Sequence, residues 1–189
     1  MSRIFLIHGW TGRPTNDFFP WAKEKLQEQG HEVFVPEMPD PDYPKIKPWV
    51  EKIKEIVGKP HADDVFIGHS LGCMGVLQYL QTLPEDTKIG KVILIAGFEK
   101  LREAAFDALQ DWDTFGPWGR AFFDYEKVKG MPKSWTALFS DDDPFVSYED
   151  NSKVFKDKLG VKIILQHSMG HFSQENGVRT LPVLLDLVR

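Results

Sequence analysis

Three short stretches of this chain carry side chains that could act together on an acyl group. Gly68-His69-Ser70-Leu71-Gly72 fits the pattern G-x-S-x-G, in which a serine sits on a sharp strand-to-helix turn with its Oγ exposed. Ser140-Asp141-Asp142-Asp143-Pro144-Phe145-Val146 comes later, and Gln166-His167-Ser168-Met169-Gly170-His171-Phe172 later still. A serine hydroxyl is a weak nucleophile until a base takes its proton, and the imidazole that does so needs an acid to orient it. Serine, acid, histidine is one of the chain orders in which such triads occur. Plainer readings exist for each stretch: a tight turn with a helix-capping serine, a solvated aspartate turn, a loop pair of histidines or a metal site. Against a metal, His167 and His171 are four apart but follow a strand, outside any HExxH pattern.

Within these stretches Ser70 is expected to be the nucleophile, His171 the base and Asp143 its orienting acid. Gly170 before His171 suggests a tight turn with room to approach the serine, which favours it over His167. Pro144 fixes a turn that would aim Asp143 back towards the imidazole; Asp142 is the next choice, and Asp141 is expected to be solvated. Cys73, three residues along the elbow helix, is expected to be packing. A second glycine-bearing turn, His8-Gly9-Trp10, follows the first apolar run. The backbone N–H groups of Trp10 and Leu71 would then converge on the oxyanion of a tetrahedral intermediate, each such donor being worth about 3–4 kcal/mol. No metal and no cofactor is called for by this set.

The elements that must hold these residues are legible as short apolar runs: Ile4–Ile7, Val33–Val35, Val65–Ile67, Val92–Ile95, Trp135–Phe139 and Val161–Leu165. They are nearly continuous rather than alternating, as in strands buried on both faces of a parallel sheet. Amphipathic segments lie between them. Phe18, Ala22 and Leu26 share one face; Trp49, Ile53, Ile56 and Val57 share another; residues 71–83 are apolar nearly all round; Val178, Leu181, Leu185 and Val188 form a last stripe. Strand and helix in alternation give an α/β, doubly wound, mostly parallel six-stranded sheet, with helices on both faces. Residues 36–48 hold five prolines and are expected to be stiff and non-helical.

At 189 residues the chain is sized for one domain, residues 1–189. Its net charge of −5 and lack of a Lys/Arg block argue against a nucleic-acid partner. Nothing approaches the roughly 18 apolar residues of a membrane span, and the N-terminal run is too short for a signal peptide. One cysteine excludes an internal disulfide framework. A cytoplasmic protein with a small-molecule substrate and no membrane partner is the expectation. Residues 98–125 carry eight of the chain's 24 aromatics. A small aromatic lid is therefore expected over 98–130, with several of Trp112, Phe115, Trp118, Phe122 and Phe123 over the mouth of the site. Trp112, Phe115 and Trp118 are the candidate substrate-binding residues.

Taken together, His8-Gly9, Met38-Pro39-Asp40-Pro41, Gly68-His69-Ser70-Leu71-Gly72, Asp142-Asp143-Pro144-Phe145 and Gly170-His171-Phe172 resemble a known family. It is the small α/β-hydrolase group of retinoblastoma-binding-protein-type serine hydrolases and their compact bacterial relatives. The resemblance implies a minimal α/β-hydrolase with strand order 2-1-3-4-5-6 and, from the acid-x-x-apolar pattern, Asp143 as the acid. One association of that family, pocket-protein binding through L-x-C-x-E, does not carry over, because Gly75 stands where the acid would be in Leu71-Gly72-Cys73-Met74-Gly75. The leading expectation is a serine esterase acting on short to medium acyl chains through an acyl-enzyme on Ser70. The alternatives are a non-catalytic binding protein on a hydrolase scaffold, and amide hydrolysis or acyl transfer by the same three residues.

Overall fold

Ile4, Phe5, Leu6 and Ile7 are all fully buried. Successive side chains of a strand point to opposite faces, so a run with no exposed member must be covered on both sides. The computed structural model, which describes residues 1–103, 105 and 112–189, meets that demand with a six-stranded, all-parallel sheet between two helical layers. In chain order the described elements are β1 (Arg3–Ile7), α1 (Phe19–Glu28), β2 (Glu32–Phe34), α2 (Ile46–Val57), β3 (Val65–His69), α3 (Leu71–Leu80) and β4 (Ile89–Ile95). They continue with α4 (Trp112–Gly119), α5 (Tyr125–Lys129), β5 (Pro132–Ser140), α6 (Tyr148–Leu159), β6 (Lys162–Gln166) and α7 (Val183–Val188). The strand order is β2-β1-β3-β4-β5-β6, the order that the family resemblance implies for the doubly wound sheet read from the apolar runs.

Alternate residues of each strand divide the core. Phe5, Ile7, Phe66, Leu94 and Phe139 pack with Trp49 and Ile53 of α2, Leu77 of α3 and Phe155 of α6. Ile4, Leu6, Ile67, Ile95 and Leu138 pack with Phe19, Ala22 and Leu26 of α1 and Leu184 of α7. All ten residues of α3 are buried, so this helix has no solvent face. Register decides where the loops emerge. Ile7 stands opposite Gly68, His69 opposite Ile95, and Ser140 opposite Gln166. The segments that follow β1, β3, β5 and β6 therefore all leave the sheet at its carboxyl edge, where ligands bind in folds of this class.

Two elements differ from the sequence expectation. The last helix begins only at Val183; Val178 and Leu181 are buried but precede it. Pro182 biases Leu181 away from the helical region, so Leu184 and Val188 make the buried face and Leu185 is half-buried. In the proline-rich segment α2 starts at Ile46, two residues before Pro48. A helix leaves its first N–H groups unpaired, so a proline in that turn costs no hydrogen bond.

The rest of that segment is a strap tied down through its carbonyls. Pro39 O accepts from Trp49 Nε1 at 2.8 Å, Pro44 O from Trp118 Nε1 at 2.9 Å, Asp42 O from Trp10 Nε1 at 2.9 Å, and Pro41 O from the Thr11 N–H at 2.8 Å. Proline offers the backbone only an acceptor, and indole offers only a donor. Pro39 and Pro44 of the strap are thus matched to Trp49 and Trp118.

Candidate active site

Ser70 has φ 52° and ψ −122°, a left-handed backbone that a residue with a Cβ adopts at a cost of about 1–3 kcal/mol. Packing enforces it. A Cβ on Gly68 would come within 2.6 Å of the Cys73 backbone, and one on Gly72 within 2.2 Å of the Ile7 carbonyl. Strand and helix approach so closely on either side of Ser70 that only glycine fits there. The Ser70 N–H is tied to Ile95 O at 2.9 Å. Cys73 lies beneath the turn, fully buried, its thiol donating to Gly68 O at 3.1 Å. Burial pushes that thiol's pKa well up, so it packs as the sequence suggests and supplies no thiolate.

Ser140 to Asp143 grip the loop that follows β6, residue by residue. The Met169 N–H donates to Ser140 Oγ at 3.0 Å, the Ser168 N–H to Asp141 Oδ1 at 3.0 Å, and the Gly170 N–H to Asp142 Oδ1 at 2.8 Å. Asp141 also pairs with the exposed His167 ring at 2.5 Å. These bonds hold the Asp141 and Asp142 carboxyls below the usual range: His167 acts first on Asp141, and the Ser140 hydroxyl first on Asp142. Asp143 is the only one of the three aspartates that is buried, at 3% exposure. Its Oδ1 accepts the N–H groups of Phe145 (2.8 Å) and Val146 (3.0 Å), an Asx-type turn after which Oδ2 has one direction left. It meets His171 Nδ1 at 2.8 Å, and His171 Nε2 lies 2.9 Å from Ser70 Oγ. The structure thus joins Ser70, His171 and Asp143 in one hydrogen-bonded chain. His167 does not touch the serine. An imidazole held so can take a hydroxyl proton at one nitrogen while its other N–H stays on a carboxylate.

Opposite the elbow, Gly9 lies against Ser70: a Cβ there would be 3.0 Å from the serine Cβ and 3.5 Å from its Oγ. The turn carrying Gly9 and Trp10 is pinned by His8, which is fully buried. The Met38 N–H donates to His8 Nε2 at 3.0 Å, so the proton belongs on Nδ1, which donates to Gly9 O at 2.9 Å. Burial lowers the pKa of this ring and keeps it neutral. Among the described residues no carbonyl accepts the N–H of Trp10 or of Leu71, the two amides expected to face an oxyanion.

A sequence model described as Serine hydrolase matches residues 4–189. The chain belongs to the serine hydrolase family. YdeN of Bacillus subtilis is 28% identical over 187 residues, covering 99% of this chain and 94% of that one. The crystal structure of the ydeN gene product superposes with a TM-score of 0.88 at 26% identity, covering 100% of this chain and 97% of that one. Est1E from Butyrivibrio proteoclasticus shares the fold at a TM-score of 0.70 and 17% identity, over 100% of this chain and 89% of its own.

In this serine hydrolase Ser70 and His171 open onto a cavity of about 570 Å³. One wall is apolar: Trp10, Phe98, Leu101, Phe115 and Phe145. Trp10 and Phe115 stack with centroids 6.1 Å apart, and Phe145 stands edge-on to His171 at 5.2 Å. The other wall is polar, with Asn16, Asp17, Tyr43 and Gln174. Asp17 accepts the Gln174 N–H at 2.8 Å, and its burial raises its pKa.

The expected aromatic lid falls partly on residues outside the described ones. Phe115 lines the cavity, but Trp118 does not. It is 1% exposed in the core, edge-on to Trp49 with its N–H on Pro44, because a buried indole must find an acceptor. Phe122 points to solvent at 76% exposure, and Phe123 packs on Tyr125. The Trp112 side chain lies outside the described residues. Phe98, Phe145 and Asp17, not singled out as substrate-binding in the sequence, do line the site; Phe98, in the aromatic segment, and Phe145, inside the acid motif, carried a signal, and Asp17 carried none. The one cluster of potential metal ligands among the described residues is His61, Asp63 and Asp64, before β3 and so at the far end of the sheet from Ser70. There Asp64 already binds Arg3 at 2.6 Å and 2.9 Å. Among the described residues no helix is long and apolar enough to cross a membrane.

Proposed function

We propose that this serine hydrolase cleaves carboxylic esters of short to medium acyl chain, through an acyl-enzyme on Ser70. One observation carries the reading: Ser70 Oγ, His171 and the buried Asp143 carboxylate form a continuous hydrogen-bonded chain, with contacts of 2.9 Å and 2.8 Å. As Oγ attacks the ester carbonyl carbon, His171 Nε2 takes its proton, and Asp143 stabilises the imidazolium through Nδ1–H. The carbonyl oxygen becomes an oxyanion, met by the N–H groups of Trp10 and Leu71. Collapse breaks the bond to the alcohol, which leaves with the proton from Nε2. Water then repeats the cycle on the acyl-enzyme and releases the carboxylic acid.

The apolar wall of the cavity, built from Phe98, Leu101, Phe115 and Phe145, supports an acyl chain that is buried near Ser70 and emerges into solvent further out. Each buried methylene adds up to about 0.8 kcal/mol and each emergent one almost nothing. Labelling with a fluorophosphonate, followed by mapping of the modified residue, tests the nucleophile: modification of Ser70 is expected. Rates on p-nitrophenyl esters from C2 to C16 test the acyl site, with an optimum at or below about C8 expected. An optimum at C14 to C16 overturns the chain-length reading. A protein labelled at Ser70 that turns over anilides or transfers acyl groups to alcohols in preference to water would be an amidase or acyltransferase. One that is not labelled would be a binding protein on this scaffold.

A further inference from the structure

His69 precedes Ser70 as the last residue of β3, and its side chain is not part of the mechanism above. It is 4% exposed, walled by the edge-on rings of Phe18 at 5.7 Å and Phe19 at 6.2 Å, with the His171 ring at 5.2 Å. Its Nε2 lies 2.8 Å from the backbone carbonyl of His171. A carbonyl only accepts, so this nitrogen carries the proton. Burial drives the conjugate acid of the ring down to about 3. The donor tautomer therefore persists at any working pH, and no second charge sits beside the base.

What this bond connects is decided by the rest of the network. The Ser168, Met169 and Gly170 amides go to Asp141, Ser140 and Asp142, and the His171 ring goes to Asp143, all at the end of β5. The His171 N–H goes to Asn176 Oδ1 at 2.9 Å, within its own loop. The base is thereby fastened to β5, whereas the serine is fastened to β3, and β4 runs between them. Besides Ser70 Oγ itself, the His69 bond is the one hydrogen bond among the described residues that joins the elbow strand to His171. We infer that His69 is a positioning residue: by donating Nε2–H to the His171 carbonyl it sets the gap between base and nucleophile. The inference rests on the reading of Ser70 and His171 given above.

Glutamine and asparagine separate reach from polarity, since the amide nitrogen of glutamine superposes on Nε2 and that of asparagine on Nδ1. With p-nitrophenyl butyrate as substrate, His69→Asn is expected to lower kcat about 100-fold, the scale of a misplacement near 1 Å, while KM moves less than about twofold. The rate of fluorophosphonate labelling falls with kcat. His69→Gln restores kcat to within about fivefold of the native enzyme, the scale of one imperfect hydrogen bond. An asparagine variant with native kcat, equal losses in both variants, or a loss confined to KM overturns the inference. Should the asparagine variant not fold, nitrogen NMR of the native protein decides: His69 protonated at Nδ1 rather than Nε2 overturns it, and the Nε2–H tautomer with a rescued glutamine variant upholds it. A native protein unlabelled at Ser70 removes the functional reading and this inference with it. A labelled native protein with an unimpaired asparagine variant removes the inference alone.

Discussion

The two sides of the cavity are built by different means. On the side of β3, β5 and β6, Asp143 and His171 are fixed by hydrogen bonds from their own or the neighbouring loop, and Ser70 by its bond to Ile95 O and the close approach of strand and helix at its flanking glycines. On the side of the β4–β5 crossover, most described side chains are placed by packing, and only a minority of the described aromatics reach the site. Hydrogen bonding is directional and demands certain residue types at certain spacings, so it leaves a motif in the sequence. Packing demands only volume and apolarity, which many arrangements satisfy. The same chain is therefore explicit about its chemistry and nearly silent about its specificity.

The largest expected effects lie on the hydrogen-bonded side. Ser70→Ala and His171→Ala should each lower kcat by about 10⁶, since such groups act as a unit; a tenth of the native activity left in either would break the assignment. Asp143→Asn should cost about 10⁴, through loss of the correct imidazole tautomer. Asp142→Asn, which touches a backbone amide rather than the imidazole, should cost no more than about tenfold, one hydrogen bond's worth. Asp141→Asn should cost less still. Kinetics on the three variants settle the ranking, and Asp142→Asn as the most damaging would reverse it.

A pH effect on stability belongs to the same side. Burial lowers the His69 pKa from 6.5 to about 3, so below pH 6.5 the unfolded chain takes up a proton that the folded one refuses. The stabilisation is present above pH 6.5 and is lost as the pH falls towards 3, at about 1.4 kcal/mol per pH unit. The lowered pKa of His8 acts in the same direction. Urea unfolding at pH 7, 5.5 and 4 should show this slope, and His69→Gln should flatten it. Equal slopes in the two proteins would refute the account.

Smaller effects test the packed side. Trp118→Ala should cost about 3–5 kcal/mol of stability as a large-to-small core substitution, with little change in acyl preference. Phe122→Ala should stay within about 0.5 kcal/mol. Phe115→Ala should shift the acyl optimum by one or two carbons, each worth up to about 0.8 kcal/mol or fourfold in rate, with calorimetry and the p-nitrophenyl series as the readouts. Trp118→Ala altering chain-length preference more than stability would restore it to the cavity.

These contrasts track what the sequence could disclose. The four inner strands were legible because strands buried on both faces must be continuously apolar, and Asp143 because a proline follows it in a turn that consumes its first oxygen. The start of α7 was misplaced because the apolar stripe runs on through Pro182, where the backbone cannot follow. Trp118 was misplaced because its destination depends on a carbonyl 74 residues away. Asp17 and Gln174, far apart in the chain, meet only when the sheet brings their loops to one edge. No local pattern announces such a meeting.

The carbonyl-tied strap has a consequence for how copies of this protein meet. β2 is an edge strand, and an edge is a template on which another chain can add a strand and begin to aggregate. Here the edge has only three residues, Glu32–Phe34, and Pro36 comes two residues later. From there the strap spends carbonyls inward on indoles, while each of its prolines lacks the N–H that an incoming strand would need. The segment that holds the Gly9-Trp10 turn in place thus also guards this edge of the sheet.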